Sequence, residues 1–222
     1  MNKRILLWDL PVRIVHWSFV VLLAAMWWSG EEGDLELHRR LGLVFLGLLA
    51  FRLLWGLLGS ESARFTGFVK GPGAVLAYIR KGAAANARPG HNPLGGWSVL
   101  VLLGLLALQI GLGLVAQDVD GLESGPLNHL VAYETADAAR EWHEVIFNVI
   151  LAVVAVHVGA IAYYLVVKRD NLVRPMLTGR REVPGHVAEP RRAGAVAFLA
   201  CLAIAVALAL WIGAGAPPLG SG

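Results

Sequence analysis

Apolar residues along this chain gather in five solid blocks rather than alternating with polar ones, and charges, prolines or glycines bound each block. The blocks run from about Pro11 to Ser29, Leu37 to Leu58, Leu94 to Ala116, Trp142 to Val167 and Ala193 to Ala214. Each holds roughly 19–26 residues, the length a tilted helix needs to cross a hydrocarbon core of ~30 Å. Closed transmembrane strands would alternate and do not fit. The pattern therefore predicts an all-α polytopic membrane protein, with a four-helix transmembrane bundle over residues 1–182. Residues 183–222 form a linker and an additional C-terminal transmembrane helix. Asp9 and Pro11 stand where a cap and a first-turn proline belong in span one.

Tryptophan placement agrees with these limits. Trp17, Trp27, Trp28, Trp55, Trp97, Trp142 and Trp211 all fall near span ends, where an interfacial belt lies. Between the spans, Val75, Leu76, Tyr78 and Ile79 beside Arg80 and Lys81 predict a short amphipathic helix at the membrane surface. The stretch Asp118 to Arg140 reads as a small cap, and Gly179 to Arg192 as a flexible linker to a peripheral fifth span.

Composition supports the membrane reading: of 222 residues, 57% are hydrophobic and only 16% charged, against about a quarter charged in soluble domains. No nucleic-acid partner is expected. The single cysteine, Cys201, excludes a disulfide, an iron–sulfur cluster and covalent Cys-x-x-Cys-His haem attachment. Bulky Trp27 and Trp28 stand where a signal-peptide cleavage site would be, so the first span is expected to stay.

Charge adds an orientation. All of the 19 Lys and Arg residues except Arg39, Arg40, Arg52 and Arg140 fall on one side of the predicted spans. The positive-inside rule makes that side cytoplasmic. The N-terminus is then cytoplasmic and the C-terminus on the outer side. The opposite side carries mostly Asp and Glu.

The candidate chemistry lies in the histidines. His143 and His157 bracket span four, fourteen residues apart. At 3.6 residues per turn they return to nearly one face, roughly 21 Å apart along the axis. His16 lies one turn into span one at the depth of His157, and His38 opens span two at the depth of His143. Each depth thus has two imidazoles on different helices, the arrangement by which bundle cores hold cofactors. Ionisable groups inside a membrane default to a functional reading. Two imidazoles without thiolate or carboxylate make a poor tetrahedral zinc site, and a proton relay does not predict pairs at equal depth. A haem iron ligated from both faces does. Arg52 shares the face of His38 at the inner depth, where a haem propionate or quinone carbonyl would be its partner, with snorkelling to the interface the alternative. Arg39 and Arg40, beside His38, could serve the outer haem likewise. Gly42, Gly47, Gly56, Gly104, Gly111 and Gly113 permit close approach by a macrocycle or another helix. His91 reads as structural or quinone-adjacent, and His129 and His186 as solvent-facing.

Several short stretches resemble the bacterial di-haem cytochrome b561 family and the b-type cytochrome subunits of nickel–iron hydrogenases. They are Arg13-Ile-Val-His16-Trp17, His38-Arg-Arg-Leu-Gly42, Arg52-Leu-Leu-Trp55-Gly56 and Gly90-His-Asn-Pro-Leu-Gly-Gly-Trp97, together with His143 and His157. The likeness covers about residues 5–182. It implies two b haems held by His16, His157, His38 and His143, exchanging electrons with membrane quinone and a redox partner. That partner would be a periplasmic c-type cytochrome or a hydrogenase-type subunit. The resemblance also admits a superoxide:quinone oxidoreductase and a membrane anchor of a hydrogenase-like complex. A quinone would sit near Arg52, His91 and Asn92. No residue is expected to be catalytic in its own right.

Overall fold

The computed structural model describes residues 1–81, 90 and 92–218. In chain order it has strand β1 (Asn2–Leu6), helices α1 (Leu10–Glu31), α2 (Leu35–Leu58), α3 (Phe65–Phe68), α4 (Pro72–Lys81), α5 (Pro93–Val115), α6 (Tyr133–Val166) and α7 (Val173–Thr178), strand β2 (Arg180–Pro184) and helix α8 (Ala195–Gly213). Five of these helices, α1, α2, α5, α6 and α8, are long and apolar enough to cross a membrane. The chain is an all-α polytopic membrane protein apart from one small two-stranded sheet.

Local chemistry sets the helix starts. The Asp9 carboxylate accepts the Val12 amide at 2.9 Å and caps α1. Asp34 does the same for Leu37 at 3.0 Å at the start of α2, and Asn92 for Gly95 at 2.7 Å at the start of α5. The predicted amphipathic helix is α4. His91 lies outside the described residues.

Residue contacts divide the chain into two compact units, and each of the five long helices gives a segment to both. The first comprises Met1–His16, Arg52–Leu102 and Val154–Cys201. Its buried apolar residues include Leu7, Trp8, Trp55, Phe68 and Val183. Here β1 pairs antiparallel with β2, from Asn2 opposite Pro184 to Leu6 opposite Arg180. Edge-to-face contact between Trp55 and Phe198, centroids 6.0 Å apart, packs α8 on α2. The second unit comprises Trp17–Phe51, Leu103–Val153 and Leu202–Gly222. Phe19 stacks on Phe45 at 4.8 Å, and Trp27 tilts against Phe147 at 6.0 Å. Gly47 faces Ala209 and the Ala205 carbonyl, so small residues let α8 approach α2 closely. Cys201 and Ala205 are fully buried where the fifth span packs, while Val196, Leu199, Ile204 and Leu210 stay exposed.

Two sequence expectations are corrected. The fourth long helix begins at Tyr133, not near Trp142, so the segment read as a cap is partly helical. Charges end the apolar run there, but helix formation does not require apolarity. Ala136, Ala138 and Ala139 favour helix, Glu134 suits its N-terminus, and Arg140 bridges Asp137 at 2.9 Å and Glu144 at 3.7 Å. At ~1.5 Å per residue this 34-residue helix is about 50 Å long, well beyond a ~30 Å core.

The second correction concerns the linker. Its first residues are β2, and the rest is tethered. Gly185 donates its amide to the Met1 carbonyl at 3.0 Å, and Glu61 donates to the Arg191 carbonyl at 2.9 Å. Gly179 terminates α7 with φ +78° and receives the Leu7 and Trp8 amides on its carbonyl. A Cβ there would stand 2.8 Å from the Trp8 carbonyl oxygen. Gly179→Ala should therefore destabilise by about 1–2 kcal/mol from the left-handed conformation alone. That should lower the thermal midpoint by several degrees, while Gly73→Ala, whose Cβ would meet nothing within 4 Å, should not.

Candidate functional site

The second unit brings His38 of α2 and His143 of α6 together. Their ring centroids lie 6.1 Å apart with planes inclined by 70°. Two imidazoles bound in line to one metal through Nε2 would stand about 6 Å apart, given a metal–nitrogen bond of about 2.0 Å. The other ring nitrogen is anchored on both sides. His38 Nδ1 lies 3.0 Å from the Met26 carbonyl and 3.2 Å from Ser29 Oγ, and His143 Nδ1 lies 2.9 Å from the Gln109 carbonyl. A carbonyl can only accept, so each Nδ1 carries the proton and each Nε2 keeps its lone pair. This is how metal-ligating histidines are oriented. Four helices contribute: α1 through Met26 and Ser29, α5 through Gln109, and α2 and α6, which bear the imidazoles.

Gly113 of α5 explains how close α5 and α6 come. A Cβ on it would stand 2.9 Å from His143 Cε1, so only glycine lets the ring sit there. Gly113→Ala should tilt or displace that ring, and would shift the electron-paramagnetic signature of a low-spin iron bound there. Gly104→Ala, facing nothing within 4 Å, is the matched control and should leave the spectrum alone. Among the other glycines singled out, Gly42 faces Met26, Gly56 faces Phe65 and Gly111 meets nothing within 4 Å.

The first unit holds His16 of α1 and His157 of α6, both half-buried and within electrostatic reach of each other. Among the described residues no three His, Cys, Asp or Glu side chains cluster to hold a metal. Both histidine sites are pairs, which suits axial ligation of a planar macrocycle and not a tetrahedral ion.

Arg52 is buried, 7% exposed, in the first unit. Its guanidinium lies 5.1 Å above the Phe65 ring and points Nη1 at the Ala63 carbonyl, 3.5 Å away. The opposing charge it feels is Asp9. Asp9 also accepts from Trp55 Nε1 at 2.9 Å and from the Ser60 hydroxyl. Sequence reading gave Asp9 only a capping role, and its centrality has no sequence signal because its partners lie 46 and 51 residues away. Arg39 and Arg40 are both paired with Glu36 at the surface, Arg40 at 2.7 Å. His129 and His186 are exposed. A second cluster that sequence reading missed joins Tyr164 of α6 to Tyr78 of α4 and to Asn92, whose Nδ2 donates to the Tyr164 hydroxyl at 2.8 Å.

No curated protein and no solved structure matches the chain. A family model does, that of prokaryotic cytochrome b561, over residues 7–179. This range includes all four paired histidines and every long helix except α8. The chain therefore belongs to the prokaryotic cytochrome b561 family of haem b-binding membrane proteins.

Proposed function

We propose that the chain carries two b haems, one held by His38 and His143 and one by His16 and His157, and moves electrons across the bacterial inner membrane between quinone and a redox partner. The observation that carries this reading is the 6.1 Å separation of two imidazoles whose Nδ1 atoms are both tied to backbone carbonyls. Bound haem would supply reversible one-electron chemistry. The protein's own part is to hold each imidazole in one tautomer and orientation, to keep the sites within apolar helices, and to set the local charge.

The charge distribution supports a cytoplasmic N-terminus, and with that orientation the His38/His143 pair is on the periplasmic side. Quinone is assigned to the cytoplasmic end. There an apolar groove lined by Pro72, Val75, Leu76, Ile79 and Trp97 suits a prenyl tail. The superoxide reading is less well supported, because Arg39 and Arg40, the cations beside His38, already face Glu36. The deciding experiment is haem content per chain of detergent-purified protein by pyridine haemochrome, with a reduced-minus-oxidised spectrum. Two low-spin b haems are expected. One would mean a wrong pair, and none in folded protein supplied with haem would overturn the reading.

A further inference from the structure

The loop that follows α5 is folded directly onto the end of that helix. The Gly125 amide donates to the Ala116 carbonyl at 2.8 Å, Leu127 to Leu114 at 2.8 Å, and Asn128 Nδ2 to Val115 at 3.0 Å. A Cβ on Gly125 would stand 2.3 Å from the carbonyl oxygens of Gly113 and Leu114. The backbone it touches is therefore the one that carries Gly113 against the His143 ring. Above this base, Gln117 bridges Ser124 and the Asp118 amide donates to the Glu123 carbonyl at 2.9 Å, forming a short hairpin.

At the hairpin's tip the burial pattern inverts. Val119 is 79% exposed and Leu122 85%. Exposed apolar side chains on a loop held this firmly form a pre-ordered surface, and ordering is one of the main terms opposing association. Their surroundings are acidic: Asp118, Asp120 and Glu123 alternate with them. The whole second unit has eleven Asp and Glu residues against three arginines. Each of those arginines is already paired, Arg39 and Arg40 with Glu36 and Arg140 with Asp137. An apolar centre within a polar rim is the make-up of a transient protein interface, and the sign of the rim selects the partner.

We propose that the 117–125 hairpin is the docking surface for a soluble cationic electron-exchange protein whose contact face is apolar and ringed by lysines. This rests on the haem reading above for its purpose, since it places the partner over the end of α5 that touches His143. A lipid surface fits worse, because anionic headgroups would repel the same carboxylates.

The test uses full-length, haem-loaded protein in lipid nanodiscs and a lysine-rich soluble c-type cytochrome as the probe, titrated at low and raised salt. Wild-type binding should weaken as salt rises. The pair Val119→Ser with Leu122→Ser should weaken it about tenfold at every salt concentration. The pair Asp120→Asn with Glu123→Gln should weaken it at low salt and flatten the salt dependence. Haem content should stay unchanged in both, so loss of binding is separable from loss of the cofactor. Unchanged affinity in the Val119/Leu122 variant would overturn the proposal, as would salt-insensitive or absent wild-type binding. A spin label on Leu122→Cys, selective because Cys201 is fully buried, should relax faster with a water-soluble agent than with oxygen. The reverse would put the tip in the bilayer and overturn the proposal. Missing haem in wild-type protein would sink the electron-carrier reading while leaving the binding result to stand by itself.

Discussion

Replacing His143 by alanine should leave one haem per chain in place of the two proposed for the wild type, and the lost haem should be the one assigned to His38 and His143. Both imidazoles are fixed by carbonyl acceptors, the Gln109 carbonyl for His143 and the Met26 carbonyl for His38. Neither ring can swing to replace its missing partner without breaking that bond. Alanine also opens a gap against Gly113. His157→Ala should remove the other haem, and the double variant should remove both. Pyridine haemochrome gives the count, and electron paramagnetic resonance shows which low-spin signal has gone. Retention of both haems in His143→Ala would mean that the 6.1 Å pair is not an axial site.

The second large effect concerns Asp9. Asp9→Ala should destabilise the protein by about 3–5 kcal/mol, because it removes the α1 cap, strands two buried donors and takes an opposing charge from buried Arg52. Asp9 accepts from the Val12 amide, Trp55 Nε1 and the Ser60 hydroxyl, and it opposes the charge on Arg52. Arg52, at 7% exposure, would be left with an aromatic face and one long carbonyl contact. For a chain of this length the loss corresponds to a fall of on the order of 10 °C in thermal midpoint, read from the Soret band or intrinsic fluorescence. Adding Arg52→Met removes the stranded charge and should restore the part of the loss that comes from Arg52, leaving the part due to the cap and the two side-chain donors. If the double variant instead lost haem as well as stability, Arg52 would be holding the cofactor in addition to its protein partners.

How much of this was visible in the sequence depends on how far apart the causes lie. The spans were legible because burial in lipid imposes one composition over twenty consecutive residues. The depth matching of His16 with His157 and of His38 with His143 was legible too, because helical rise converts residue number into depth. In the second unit the matched pair does meet. Arg52 has company that the sequence did not mark: an opposing charge from Asp9, forty-three residues earlier, with no periodicity to link the two. The nine additional residues of α6 were hidden for a different reason. The apolar run marks where lipid begins, whereas backbone hydrogen bonding decides where the helix begins. The hydrogen bonds that fix His38 and His143 go to carbonyls, which every residue possesses, so the sequence carries no mark of them. Gly113 left a trace, but one shared with Gly104 and Gly111, which touch nothing.

The sheet of β1 and β2 has a consequence for how the protein is made. Residues 2–6 leave the ribosome early, and their partners at 180–184 are joined only after four of the five spans have been synthesised. At about 5–20 residues per second, the wait is on the order of ten seconds or more. Throughout it β1 is an open edge, and open edges recruit other strands. Lys3 and Arg4, exposed in the finished sheet, would keep that edge solvated and repel another copy of itself. When β2 arrives, Arg4 meets Glu182 at 2.9 Å and the strand closes. Pairing of the first strand with one that follows the family-matched residues can thus be completed only by a chain whose fourth span has already returned to the side where the first began.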